Sequence, residues 1–192
     1  RYDLSGMAEN TEKALAMGGS SGKTEEYNGS AWTEVNDLIT DKTQATAFGD
    51  TTETVYFVGA PGGSTQYWNG TNWSEVNNTN VGSLSNLGSH GSANDAIIYG
   101  GIHYPSNPSA LVTCTEAWDG TSWAVRSGLP TAAGALRGAG DNGSTGQLGL
   151  ATGGSPGSTN NVYSWSGALI TTGSFGRVEV TSISGDGSNL TN

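Results

Sequence analysis

His90, His103, Tyr104 and Cys114 are the side chains of this sequence best suited to redox-metal chemistry. Each also has a plainer role: Cys114 as a small buried apolar residue, and the histidines as exposed loop residues. Cys114 is the single cysteine, so it makes no intrachain disulfide and belongs to no cysteine pair for zinc. Nucleophilic catalysis needs a Ser or Cys beside a His that an acid orients. Serine is abundant everywhere and only two histidines exist to serve it. No GxSxG, P-loop or GxGxxG stands in its strand-to-helix context. Asp186 in GDGSN reads better as part of a tight turn than as a calcium ligand. The expectation is a non-enzymatic protein with no cofactor and no metal site.

The elements that must position such residues follow from composition. There are 31 glycines, with few charged residues (12%) and many turn formers, which favours short strands over helices. Six Trp and seven Tyr set the chain apart from low-complexity disorder. The net charge of −10, with seven scattered Lys and Arg, argues against nucleic acid and anionic membranes as partners. No apolar run is long enough to span a bilayer and no leader pattern is visible, so no membrane insertion is expected. The start at Arg1 suggests processing or a fragment.

One phrase recurs. YNGSAWTEV at Tyr27, YWNGTNWSEV at Tyr67 and AWDGTSWAV at Ala117 put Asn28, Asn69 and Asp119 in one column, with a degenerate copy at Ser166. The intervals are 41, 50 and 47 residues. Upstream of each turn lies an apolar stretch ending in small residues: ALAMGG, VYFVGA, AIIYGG and LGLATGG. Arg1, Lys42 and Ser83 stand 17 residues before the first Gly of that signal, and Arg137 stands 16 before the fourth. Within unit two, residues 42–50 suit an inner strand, 54–59 a strand buried on both faces, and 64–68 a strand leading through Asn-Gly to a last strand at Trp73. Asn-Gly between two strands predicts a type I′ hairpin. Four strands in about 45 residues, repeated, describe blades of a β-propeller. The units run approximately over 1–40, 41–81, 82–128 and 129–172.

Trp32, Trp73 and Trp123 are expected to pack between neighbouring blades, after turns carrying Gly29, Gly70 and Gly120. The fourth copy has Ala168-Leu169-Ile170 where the others have Trp. Residues 173–192, GSFGRVEVTSISGDGSNLTN, depart from the blade pattern and read as a strand-rich C-terminal connector. The sequons at Asn28, Asn69, Asn72, Asn77, Asn142 and Asn189 fall out of composition and read as turns.

GGSSGKTEEYNGSAWTEV (18–35) resembles the kelch-like repeats of virion proteins of tailed phages, marine and cyanobacterial ones in particular. SFGR and GDGSNLTN in the tail resemble a connector of the same proteins. The resemblance implies an all-β, kelch-like propeller in a virion fibre, appendage or decoration at the virion surface. It also implies contact with other virion proteins through the connector, homo-oligomerisation, and attachment to host-surface glycans. A free-standing carbohydrate-binding propeller of bacterial origin is the alternative. Copper oxidases on kelch propellers use Cys, Tyr and His together, but the order and surroundings of His90, His103, Tyr104 and Cys114 differ from theirs. DGTSW (119–123) is similar to the sialidase Asp-box turn but has one residue fewer between Asp and Gly. The longest deviation between units, IHYPSNPSALVTC (102–114), makes His103 and Tyr104 the candidate contact residues for a saccharide.

Overall fold

A computed structural model describes residues 2–82, 84–104, 110–139, 149–155, 162–165 and 176–178. The described elements are all strands, and no helix is long and apolar enough to cross a membrane. β1 (Leu4–Ala8), β2 (Ala14–Gly18), β3 (Thr24–Tyr27) and β4 (Trp32–Val35) form the first sheet. β5 (Thr46–Gly49), β6 (Val55–Val58), β7 (Thr65–Trp68) and β8 (Trp73–Val76) form the second. Chain order then brings β9 (Leu84–Ser85), β10 (Gly88–Gly91), β11 (Ala96–Tyr99), β12 (Ile102–His103), β13 (Ala110–Leu111), β14 (Thr115–Trp118) and β15 (Trp123–Val125). The third sheet is β10-β11-β14-β15, and β13-β12-β9 make a small sheet beside it. β16 (Arg137–Ala139), β17 (Gly149–Thr152), β18 (Val162–Trp165) and β19 (Gly176–Val178) form the fourth.

Each large sheet is an antiparallel, propeller-like unit of four strands. Inner strands stand side by side, β1 against β5, β5 against β10 and β10 against β16. The sheets are held by apolar layers between them rather than by one central core. β6 shows why: all four of its residues are buried. Val55 and Phe57 pack with Leu15, Met17 and Trp73 on one side, while Tyr56 and Val58 pack with Leu84, Ile98 and Trp123 on the other. β11 repeats the alternation, with Ala96 and Ile98 towards the second sheet and Ile97 and Tyr99 in a cluster with Leu136 and Ala151 of the fourth. A strand buried on both faces has no polar positions, which is the continuous apolar run seen in sequence.

The tryptophans of the repeated phrase divide. Trp73 Nε1 donates to Thr24 Oγ1 of the first sheet at 2.9 Å, and Trp123 Nε1 donates to Thr65 Oγ1 of the second at 3.0 Å. Each indole is therefore anchored on the third strand of the preceding sheet. Trp32 holds the same place in the first sheet but is 52% exposed, its ring tilted against Tyr27 at 5.3 Å. The expectation of a Trp32 buried between sheets is corrected: among the described residues no sheet covers its ring.

Glu116 and Gln66 serve a second repeated contact. Gln66 Nε2 donates to Thr40 O and its Oε1 accepts from Ile39 N, while the Glu116 carboxylate accepts from Asn80 and Val81 N. In both cases a third-strand polar residue grips the segment that connects the preceding sheet to its own. The turns also differ from the expected type I′ form. Gly29, Gly70 and Gly120 have φ of 89°, 86° and 92°, but the residues before them are not left-handed. Instead Asn28, Asn69 and Asp119 each accept, through Oδ1, the N–H groups two and three residues on. The side chain does the work that a second left-handed residue would do.

Gly176–Val178 pairs with β18, so the boundary read at 172/173 falls inside the fourth sheet. That strand comes from the RVEVTSI alternation of the tail. The turn at Ser166, Ala168-Leu169-Ile170, Asp186, Asn142, Asn189 and the remainder of 173–192 lie outside the described residues.

Candidate functional site

Among the described residues four that are not glycine have left-handed backbones: Asp3 (φ 57°), Gln44 (φ 54°), Asn86 (φ 54°) and Ala135 (φ 55°). They fall one per large sheet, just before each inner strand. Gln44 N donates to Asp3 O at 3.1 Å, Asn86 N to Gln44 O at 2.7 Å, and Ala135 N to Asn86 O at 2.8 Å. The left-handed turn is what aims each amide at the preceding sheet's carbonyl, and Asn and Asp tolerate it best. Side chains extend the chain of bonds, Gln44 Nε2 to Asp3 Oδ2 at 3.4 Å and Asn86 Nδ2 to Gln44 Oε1 at 3.3 Å. The true repeat landmark of the inner strands is therefore Asp3, Gln44, Asn86 and Ala135, not the Arg1, Lys42, Ser83 and Arg137 column.

Beside this ladder the four inner strands line a polar cavity of about 330 Å³, whose lining includes Asp3 and Arg137. Its hydroxyls are partly committed: Ser5 Oγ donates to Ala45 O and Ser89 Oγ to Ala47 O. Gly138 faces Ser89 O and the Tyr99 hydroxyl so closely that a Cβ there has no room.

Gln44 also lines a second, more apolar cleft of about 480 Å³, together with Gly19, Asp41, Pro61, Ser85 and Tyr104. These residues come from the first sheet's β2–β3 connection, the segment entering β5, the β6–β7 connection, β9 and the end of β12. The cleft and the polar cavity thus share Gln44 and lie by the segments that lead into the inner strands. Tyr104 is 53% exposed on the cleft wall. His103 instead pairs with Leu84 and Ala110 in the small sheet. The described ends of the unusual segment of unit three form strands: β12 pairs with both β9 and β13, and Tyr104 follows β12 directly.

The remaining candidates are structural. His90 is buried on β10, with Nδ1 3.4 Å from the Tyr99 hydroxyl, which corrects the reading of it as an exposed loop residue. Its ring fills the space a Cβ at Gly149 would need. Burial pushes the Tyr99 phenol upward. Cys114 is half-buried against the layer between sheets two and three, and burial, then the Glu116 charge, push its thiol up to about 11. No three metal-ligating His, Cys, Asp or Glu side chains gather among the described residues. Lys42, read from the sequence only as a repeat landmark, is fully buried and donates to Gly59 O and Ser64 Oγ. Burial lowers its ammonium to about 8.

No family model and no curated protein matches this chain. The solved structure of YjhT is similar to it, with a TM-score of 0.70 at 14% identity over 94% of this chain. The likeness is one of fold alone. The matched region spans 66% of the length of the YjhT chain.

Proposed function

We propose that this chain is a non-enzymatic, kelch-like propeller module of a virion surface, and that it attaches to host glycans through the face on which its inner strands begin. The observation that carries the reading is how its polar groups are distributed. The buried ionisable side chains are tied into the frame: Glu116 grips Asn80 and Val81, Lys42 binds Gly59 O, and His90 lies against Tyr99. The two openings are lined by the Asp3 and Asp41 carboxylates, the Gln44 and Asn86 amides, the Arg137 guanidinium and the exposed Tyr104 ring. Such a mixed polar and aromatic set suits polyhydroxylated ligands. The repeated phrase and the tail support the virion setting through their resemblance to tailed-phage proteins.

The free-standing carbohydrate-binding alternative gains from one observation. Part of the supposed connector, Gly176–Val178, completes the fourth sheet. Two measurements test the proposal. Antibody to the chain should label purified phage particles by immuno-electron microscopy, and fluorescently labelled full chain should bind a glycan array without altering the bound glycans. Glycan binding with no particle labelling would favour the free-standing protein. Turnover of a glycan would overturn the non-enzymatic reading.

A further inference from the structure

We propose that the cleft beside the polar cavity is a subsite for a neutral hexose, stacked on Tyr104 and hydrogen-bonded at Ser85, Asp41 and Gln44. The inference rests on the attachment reading above and locates its ligand in the cleft. Two independent observations point to a ligand there. The first is the cleft itself, about 480 Å³ with an exposed phenol ring on its wall and Pro61 nearby. That volume lies in the range of small-ligand sites. Sugars present an apolar C–H face to an aromatic ring and hydroxyls at their edge, and Tyr104 beside Asp41 and Gln44 supplies both kinds of partner.

The second observation is Ser85. It is 2% exposed, it is part of the cleft lining, and its Oγ is buried without a hydrogen-bond partner. A buried hydroxyl is almost always paired, so an unpaired one calls for an explanation. A ligand hydroxyl reaching the floor of the cleft would pair it. Neutrality follows from charge: Asp41 lines the cleft, Asp3 bonds the shared Gln44, and the chain carries −10 overall. An anionic sugar meets carboxylates here and no lysine, because the Lys42 ammonium is turned inward to Gly59 O.

The test uses the full chain and three variants: Tyr104→Ala, Tyr104→Phe and Ser85→Ala. Thermal melts first confirm that each folds; Tyr104 lies at the surface, so its variants should melt like the parent. All four are applied to an array of glycans ending in neutral hexoses or in sialic or uronic acids. Methyl hexosides are then titrated by saturation-transfer NMR. The expected result is binding to neutral hexose termini, weakened at least about tenfold in Tyr104→Ala and about threefold or more in Ser85→Ala. Tyr104→Phe, which keeps the ring, should stay within about twofold of the parent. Neutral-glycan binding that Tyr104→Ala leaves unchanged would overturn this site while the attachment reading stands. A preference for acidic termini would overturn the neutral assignment. Binding to no glycan at all would overturn both readings together.

Discussion

Thr24→Val should destabilise the protein through an indole on a different sheet. Trp73 Nε1 lies 2.9 Å from Thr24 Oγ1. Thr24 is fully buried and Trp73 is only 7% exposed, so water cannot replace the lost acceptor. An unpaired buried donor of this kind costs about 1–3 kcal/mol, against a few tenths gained from valine's better fit to a strand. Trp73→Phe keeps ring contacts with Phe57 and Trp68 but strands the Thr24 hydroxyl instead, at a cost of about 2–3 kcal/mol. Combining the two removes both polar atoms together. The double variant should therefore be less destabilised than the sum of the singles by about 1–2 kcal/mol. Urea unfolding followed by far-UV circular dichroism measures it, comparing midpoints at constant slope. Thr65→Val with Trp123→Phe repeats the design one sheet further on. Additive singles, or a Thr24→Val variant as stable as the parent, would refute the claim that this hydrogen bond locks one sheet to the next.

Trp32→Ala should cost no more than about 1 kcal/mol, whereas Trp73→Ala should cost about 3–5 kcal/mol, because only the second ring is enclosed between sheets. Lys42 titrates near 8 when folded and near 10.5 when free, so its buried charge weighs against the fold at all pH below 8. Stability should then rise between pH 8 and 10.5, by on the order of 3 kcal/mol, and thermal melts of Lys42→Met should lack that rise. Ala135→Gly should raise stability by about 0.5–1 kcal/mol in chemical denaturation, since Ala135 holds a left-handed backbone at φ 55°. The N–H groups of Ser122 and Thr121 hold the Asp119 carboxyl below its usual range. Acid should therefore loosen that turn as pH falls through the depressed value, and Asp119→Asn should lessen the acid dependence of melts relative to the parent.

The sheets were legible in the sequence because their constraints are local. A run such as VYFV, buried on both faces, excludes polar residues. An Asn or Asp that must accept two N–H groups, followed by a left-handed Gly, restricts its column to few residue types. Contacts between sheets were less legible. Asp3, Gln44, Asn86 and Ala135 share a backbone conformation and a hydrogen-bond role, yet their side chains are unalike, so nothing in the letters aligns them. Lys42 looked like a repeat landmark and is a buried anchor for the β6–β7 connection. Trp32 has the same sequence surroundings as Trp73, and only the presence of a preceding sheet separates an exposed ring from a buried one. At the candidate site, Tyr104 was visible as an aromatic in an irregular loop. Ser85 carried no signal at all, being one serine among many.

The same dependence on neighbours sets how firmness is distributed along the chain. β6 and β11 are sandwiched between sheets on both sides and have no exposed residue. β1 has Leu4 exposed and β17 has Leu150 exposed. In a stack of repeats each unit draws stability from its immediate neighbours, so units flanked on both sides should open least often. Hydrogen exchange read by mass spectrometry should show the strongest protection in β6 and β11, and weaker protection in β1 and β17. The gradient should persist on dilution if the chain is monomeric. Uniform protection that falls with dilution would mean that copies of the chain cover the faces around Trp32 and Leu150. Their exposure would then be a property of the single chain and not of the protein in solution.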